Sequence, residues 1–171
     1  MGFEQITGPN SIAPTPPAGD ASNRVATTAF VSTAITTALS TSVFYPSLTA
    51  LTNTLSSDHA LTNTSSYFDG PAVAQGSSGT WFVSGQVTFV DTTSAALVSA
   101  KLWDGATVID SAAISTPAAN GVGVISLSGF MASPAGNLRL SVKDGTNTTG
   151  KILFNQSGNS KDSTIIAIRI A

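Results

Sequence analysis

The residues that could do chemistry are few and far apart. His59 is the single histidine and stands in "SSDHALT". A Ser-His-Asp relay would have to be built on it. Glu4 is the single glutamate. Glycoside cleavage needs two carboxyls about 5 to 9.5 Å apart; Asp91, Asp104, Asp110, Asp144 and Asp162 could supply them, but no motif brings two together. Cysteine is absent, which removes disulfides and thiolate metal sites. "GVGVIS" at 121 to 126 lacks the third glycine of a dinucleotide fingerprint. No catalysis and no cofactor are expected.

Two polar features remain. Asp-Gly occurs at 69-70, 104-105 and 144-145. The last two stand between alternating segments, where Asp-Gly supplies the positive φ of a type I′ hairpin. Calcium at such aspartates would have to bind without an EF-hand loop. The loop "NQSGNSKD", 155 to 162, is the densest polar cluster of the C-terminal region. Its Asn155, Gln156, Asn159 and Lys161 are candidates for holding a sugar, which needs directional donors beside an apolar platform.

Composition narrows the partners. Charged residues are 9% of 171, with seven Lys+Arg against nine Asp+Glu and a net charge of -2. Average globular chains carry roughly 25%. A basic face for nucleic acid is not expected. The stretch "MGFEQITGPN" has no basic segment followed by an apolar run, so it does not read as a secretory signal.

Three sections must position whatever the chain displays. Residues 1-24 carry Pro9, Pro14, Pro16 and Pro17 with Gly8 and Gly19. Proline fixes φ, removes donors and pushes its predecessor to extended backbone, so an extended arm is expected. Residues 25-64 are expected to form a helical, coiled-coil stalk. Asp20, Ser22 and Asn23 are candidate N-caps, and apolar pairs such as Phe30/Val31, Ala34/Ile35 and Ala38/Leu39 recur about every four residues. No charge occurs between Arg24 and Asp58. Nine of the 21 residues from Val25 to Tyr45 are Ser or Thr, too polar for a membrane span. Such a helix is weak alone, and copies of itself are the obvious cover, with Val31, Ile35 and Leu39 inward. Leu48, Leu51 and Leu55 continue the seam past Pro46 with 3-4 spacing. "ALTNT" then occurs at 50 to 54 and again at 60 to 64, the second copy marking where the regular coil stops.

From residue 65 to 171 the period is two. In "TWFVSGQVTFVD", Trp81, Val83, Val87 and Phe89 alternate with Phe82, Ser84, Gln86 and Thr88; in "NLRLSVK", Leu138, Leu140 and Val142 alternate with Arg139, Ser141 and Lys143. With further segments at 67-73, 96-103, 107-114, 122-131, 151-155 and 163-170, about eight short strands predict a mainly β fold, a jelly-roll sandwich. The last segment is apolar on both faces: Ile166, Ile168 and Ile170 on one, Ile165 and Ala167 on the other. One face should fill the sandwich and the other should meet a neighbouring subunit.

The stretch "PTPPAGDASNRVATTAFV", 14 to 31, resembles the linker that recurs in tail-fibre and related appendage proteins of tailed bacteriophages. The region "FDGPAVAQGSSGTWFVSGQVTFVD" through "ILFNQSGNSKDSTIIAIRI" is similar to phage-borne sandwiches of the tumour necrosis factor/C1q type. The shared features are an early GTW strand, a hairpin at Leu102, Trp103, Asp104 and Gly105, and a closing strand. The resemblance implies a homotrimeric, TNF-like knob on a virion. Only 13 residues precede Pro14, so anchoring to capsid or tail proteins is expected to use the arm, Pro14, Pro16, Pro17, Asp20 and Arg24 included. That favours a short fibre or spike, on the head or near the tail tip, whose knob binds a host-surface glycan. A decoration or head fibre without receptor role and a small glycan-cleaving tailspike are the alternatives.

Overall fold

The computed structural model describes residues 28–41, with side chains for 31–37, and residues 49–171. The chain divides into two units, Met1–Pro46 and Ser47–Ala171. The arm residues Pro14, Pro16, Pro17, Asp20 and Arg24, and Leu48, lie outside the described residues.

The first unit contributes helix α1, Thr28–Thr41. Threonine and serine compete with helical backbone bonding, and Thr36 Oγ1 donates back to the Ser32 carbonyl at 2.9 Å. Val31 and Ile35, one turn apart, are 44% and 53% exposed. Leu39 is helical, and its side chain is outside the described ones.

The second unit is a β-sandwich of ten strands: β1 Ala50–Thr54, β2 His59–Leu61, β3 Phe68–Val73, β4 Thr80–Asp91, β5 Ala96–Trp103, β6 Val108–Thr116, β7 Val122–Ala132, β8 Leu138–Asp144, β9 Gly150–Leu153 and β10 Thr164–Arg169. The eight from β3 onward coincide with the alternating segments of the sequence. Their pairing is nested. β1 pairs with β10, β2 with β9, β3 with β8, β4 with β7 and β5 with β6, all antiparallel. A long hairpin rolled so that its two arms fall into two sheets is a jelly roll.

Sheet 2 runs β3-β8-β5-β6. Sheet 1 is built around β4. β7 follows one of its edges from Thr80 to Val90, while β10 takes Trp81 to Gln86 and β9 takes Thr88 to Asp91 on the other. β1 and β2 then lie outside β10 and β9. Where β9 stops and β10 starts, buried Ser163 bridges the gap: the Thr88 amide donates to its hydroxyl (3.1 Å), which donates to the Leu153 carbonyl (2.7 Å).

The core lies between the sheets. Val83, Val87, Phe89, Leu138, Leu140, Val142, Ile152 and Ile165 are almost wholly removed from water. The predicted alternation in β4 and β8 is therefore the inward half of each strand. Phe89 presses on Gly123, where a Cβ would overlap the ring.

The stalk assignment is corrected for residues 50 to 61. Leu51 lies in β1, paired with Ala167, and both Leu51 and Leu55 pack against the sandwich core. Leu61, in the second "ALTNT", is fully buried. The first copy is the whole of β1 beside β10, and the second contributes only Ala60 and Leu61 to β2 beside β9. A leucine every three or four residues fits a helical seam, but a single leucine per short strand meets the same pattern, and cross-strand pairing decides it.

Candidate ligand-binding face

The outward side chains of the two sheets differ in kind. On sheet 2, registration lines up Asp69, Ser141, Lys101 and Ser111 across four strands, and beside them Ala72, Arg139 and Trp103. Lys143 stands opposite Ser99, and Tyr67 immediately precedes β3. Three of the seven basic residues of the chain thus share one face.

The rings and charges are interleaved. The Lys101 ammonium lies 3.2 Å from the Trp103 ring centroid and 4.5 Å from that of Tyr67. Arg139 stands 5.0 Å over Trp103, and Lys143 5.2 Å over Tyr67. Such contacts contribute roughly 0.5 to 2 kcal/mol as desolvation increases. Trp103 Nε1 donates to Ser141 Oγ at 2.6 Å, which donates to Asp69 Oδ1 at 2.6 Å, and Arg139 Nη1 meets Asp69 Oδ2 at 2.9 Å. Among the described residues this is the sole ion pair, so Lys101 and Lys143 have rings but no carboxylate partner. Burial pulls Lys101 below the usual lysine range; Asp69 opposes that, and Arg139 adds to it. Arg139 Nε is buried without an acceptor.

The turn beside the face is set by Asp104. Its Oδ1 accepts the Ala106 and Thr107 amides (2.9 and 2.6 Å) and its Oδ2 the Ala135 amide (2.8 Å). Burial raises its pKa, yet these amides more than offset that and hold it below the ordinary carboxylate value. Gly105 has φ +96, and a Cβ there would overlap the Arg139 guanidinium. The type I′ expectation is corrected: Gly105 alone of the pair has positive φ, and the Asp104 side chain forms the turn. Asp144-Gly145 is no hairpin either, since it joins β8 of sheet 2 to β9 of sheet 1, and Asp69-Gly70 lies inside β3 at a bulge.

Asp144 has a second role at the far end of the sandwich. Its Oδ1 accepts the Thr146 and Asn147 amides (2.8 and 3.0 Å). Asp91 accepts the Thr93 and Ser94 amides and the Thr149 hydroxyl. Both carboxyls are fully buried, and each influences the other's titration. Burial raises both; the hydrogen bonds to Asp91 bring it below its ordinary value, while Asp144, next to that charge, stays above its own. Asp144 Oδ2 has no donor among the protein groups; a proton on this carboxyl, which its raised value favours, would satisfy it.

Sheet 1 turns a different side outward. One row is Ala50, Ile168, Phe82 and Phe130; the next is Thr52, Ile166, Ser84 and Ser128; the third is Thr54, Thr164, Gln86 and Ser126. None is charged. Phe130 is 65% exposed and packs against Phe82 at 5.3 Å between centroids. Val122, Val124 and Ile170 add exposed apolar surface. Ile165 and Ala167 point into the core, and Ile166, Ile168 and Ile170 point out. A depression of about 350 Å³ between Thr52, Ser84, Gln86, Ser126, Thr164 and Ile166 lies on this face.

The other sequence candidates fall elsewhere. In the 155 to 162 loop, Asn155 Oδ1 accepts the Ser160 amide (2.8 Å), Asn159 Nδ2 donates to the Ser157 carbonyl (3.3 Å), and Asp162 Oδ2 accepts the Ser157 amide (2.9 Å). Asn155 and Asn159 thus close the loop itself. Gln156 and Lys161 are exposed. His59 lies in β2, not in a stalk, with its ring 5.9 Å from Phe68. The cation and ring face was missed because its members lie in "SYFDG", "SAKLWDG" and "NLRLSVK". The signal was there: outward positions of alternating strands held Lys, Trp and Arg where plain solvent-facing residues would serve.

No family model matches the chain, and no curated protein matches it. Its fold is similar to several solved structures. One is the Eiger TNF from S. frugiperda, at 14% identity over 72% of this chain and 85% of that one, with a TM-score of 0.41. Another is PRD1 vertex protein P5, at 17% identity over 71% and 96%, TM-score 0.36. A third is the C-terminal CBM6 of the laminarinase LamC from Zobellia galactanivorans, at 12% identity over 71% and 100%, TM-score 0.35. The structures it is similar to thus include a TNF, a vertex protein and a carbohydrate-binding type of module, and the likeness is one of outline.

Proposed function

We propose that this protein is a non-enzymatic structural component of a phage particle. In this reading it is a short homotrimeric fibre or spike whose arm docks on the virion and whose jelly-roll knob binds a glycan on the host surface. The observation that carries it is the division of labour between the two outer faces. The part of sheet 1 from β1 to β7 offers an uncharged surface with Phe130 and Ile168, suited to copies of the same chain. Sheet 2 offers rings and unpaired ammonium groups, suited to a polar ligand. The exposed Val31 and Ile35 of α1 support association through the helix as well. The linker-like segment at 14 to 31 supports a virion setting. Three linked copies raise the effective concentration of weak sites.

Two measurements test the reading. Light scattering on the purified chain should give three times the mass of one chain, and a protein lacking residues 1 to 24 should remain that oligomer yet fail to join particles. Incorporation of the shortened protein would move the anchor elsewhere. Normal adsorption of particles whose fibre lacks the whole sandwich unit, Ser47–Ala171, would sink the receptor role and favour a decoration protein.

A further inference from the structure

Three features invite a ligand: the buried Asp91 and Asp144 pair, the depression on sheet 1 and the cation and ring face of sheet 2. The acid pair has Gly150 and a Leu61 methyl beside its unpaired oxygen, an apolar setting that suits a proton better than a metal ion. The depression lies within the surface assigned to neighbouring copies.

The third feature goes further. We propose that the outer face of sheet 2 binds an acidic polysaccharide, with Lys101, Lys143 and Arg139 meeting its anionic groups and Trp103 and Tyr67 packing against its sugar rings. The inference rests on the reading of the knob as a glycan binder and names the class of glycan. Its basis is charge complementarity in a chain whose net charge is -2. Three cations and one carboxylate, Asp69, share this face, and two of the cations have no carboxylate partner among the described residues. Lys101, 3.2 Å from one ring and 4.5 Å from another, has lost water and shares with Arg139 the one carboxylate near it, Asp69, so it lacks a counter-charge of its own. An arriving anion supplies it. Asp69 shows the chemistry in miniature: its carboxylate is received by Arg139 at 2.9 Å and by the Ser141 hydroxyl at 2.6 Å. Arg139 holds its fork still against Trp103 and Gly105, so little freedom is lost on binding. A single-stranded nucleic acid also uses rings and cations, but it needs a basic groove that follows its backbone, whereas here a carboxylate stands among three cations.

The test uses the full chain, with polygalacturonate, dextran sulfate, neutral dextran and oligothymidylate as immobilised probes. Binding to polygalacturonate or dextran sulfate, absent on neutral dextran and weakened by added salt, is expected. The stronger of the two arms identifies carboxylate or sulfate as the anion. Lys101→Gln with Lys143→Gln should weaken binding about tenfold or more, the scale of one or two charge-assisted contacts. Lys151→Gln, a single charge removed from the other sheet, should change it little, and melting curves of all variants should coincide. Trp103 fluorescence should respond to the bound probe in wild type and not in Trp103→Phe. Equal binding to neutral dextran, tighter binding to oligothymidylate, or full binding by the double variant would each overturn the proposal. If wild type and double variant bind host cells equally, this face is wrong but the glycan-binding knob stands. Should wild type bind neither probes nor cells, both readings fall.

Discussion

The two outer faces of the sandwich are built from the same kind of strand and share one core, yet they are nearly opposite in chemistry. On sheet 1 the outward rows from β1 to β7 hold Phe, Ile, Ser, Thr, Ala and Gln with no charge. On sheet 2 the corresponding positions hold Lys101, Arg139, Lys143 and Asp69 around two rings. Because strand residues alternate strictly, the inward half can be fixed by packing while the outward half varies freely. The difference teaches that a low overall charge can hide a concentrated one. A 9% charged chain can leave the β1-to-β7 rows of one face bare and place three cations on the other.

The largest effect is expected where that contrast serves assembly. Phe130→Asp puts a carboxylate among these uncharged rows and costs the single chain only the ring contact with Phe82. It should reduce the oligomer to single chains by light scattering, a loss of about 3 kcal/mol or more per subunit. An unchanged mass would place association elsewhere.

Asp104→Asn comes next. An amide cannot accept at both positions, so the Ala135 or the Ala106 and Thr107 amides lose a partner, at a cost of about 1 to 3 kcal/mol in urea unfolding. Trp103 and Arg139 stand beside this turn, so probe binding should fall with stability. Full stability in the variant would show that the turn holds without its carboxylate.

The acid pair gives a pH arm beneath both faces. Asp91 and Asp104 lie below the ordinary 3.8, so their contribution is present above it and is lost as pH falls through their folded values. Asp144 lies above 3.8; its contribution is present below that value and is lost as pH rises through the folded one. Asp144→Asn keeps an acceptor for Thr146 and Asn147 and gives Asp91 a permanent donor. It should gain about 1 kcal/mol over wild type at neutral to alkaline pH and little in acid. Parallel pH profiles for the two proteins would rule out a shared proton.

The smallest change on stability sharpens the comparison most. Asp69→Asn removes a half-exposed ion pair, worth about 0 to 1 kcal/mol, and takes away the sole carboxylate of the basic row. Binding to polygalacturonate should tighten while the oligomer is untouched. Weaker binding would mean that Asp69 positions the cations more than it opposes the ligand.

Much of the sandwich was legible because strands such as β4, β5 and β8 are long enough to show alternation. Trp81, Val83, Val87 and Phe89 point inward as their spacing requires. β1 and β2 were not legible, since five and three residues with one leucine each cannot display a period, and the 3-4 leucine spacing reads equally as a helix. The face on sheet 2 was hidden for a topological reason. Lys101 and Arg139 are 38 positions apart and meet because β5 and β8 are neighbours, a fact of registration rather than of local pattern. The 155 to 162 loop stood out by composition, yet Asn155 and Asn159 are engaged in shaping it.

The nested pairing of first strand with last bears on timing. β4 and β7 can meet early, but the apolar row that runs from Ala50 through Ile168 to Phe82 and Phe130 needs β1 and β10 together. Pairings so distant along the chain close late, because loop entropy opposes them until other contacts have formed. A chain still emerging from the ribosome therefore carries no finished sheet 1. The surface proposed for self-association is assembled only when the molecule is otherwise folded, so in that proposal completion of the last strand acts as the licence for it.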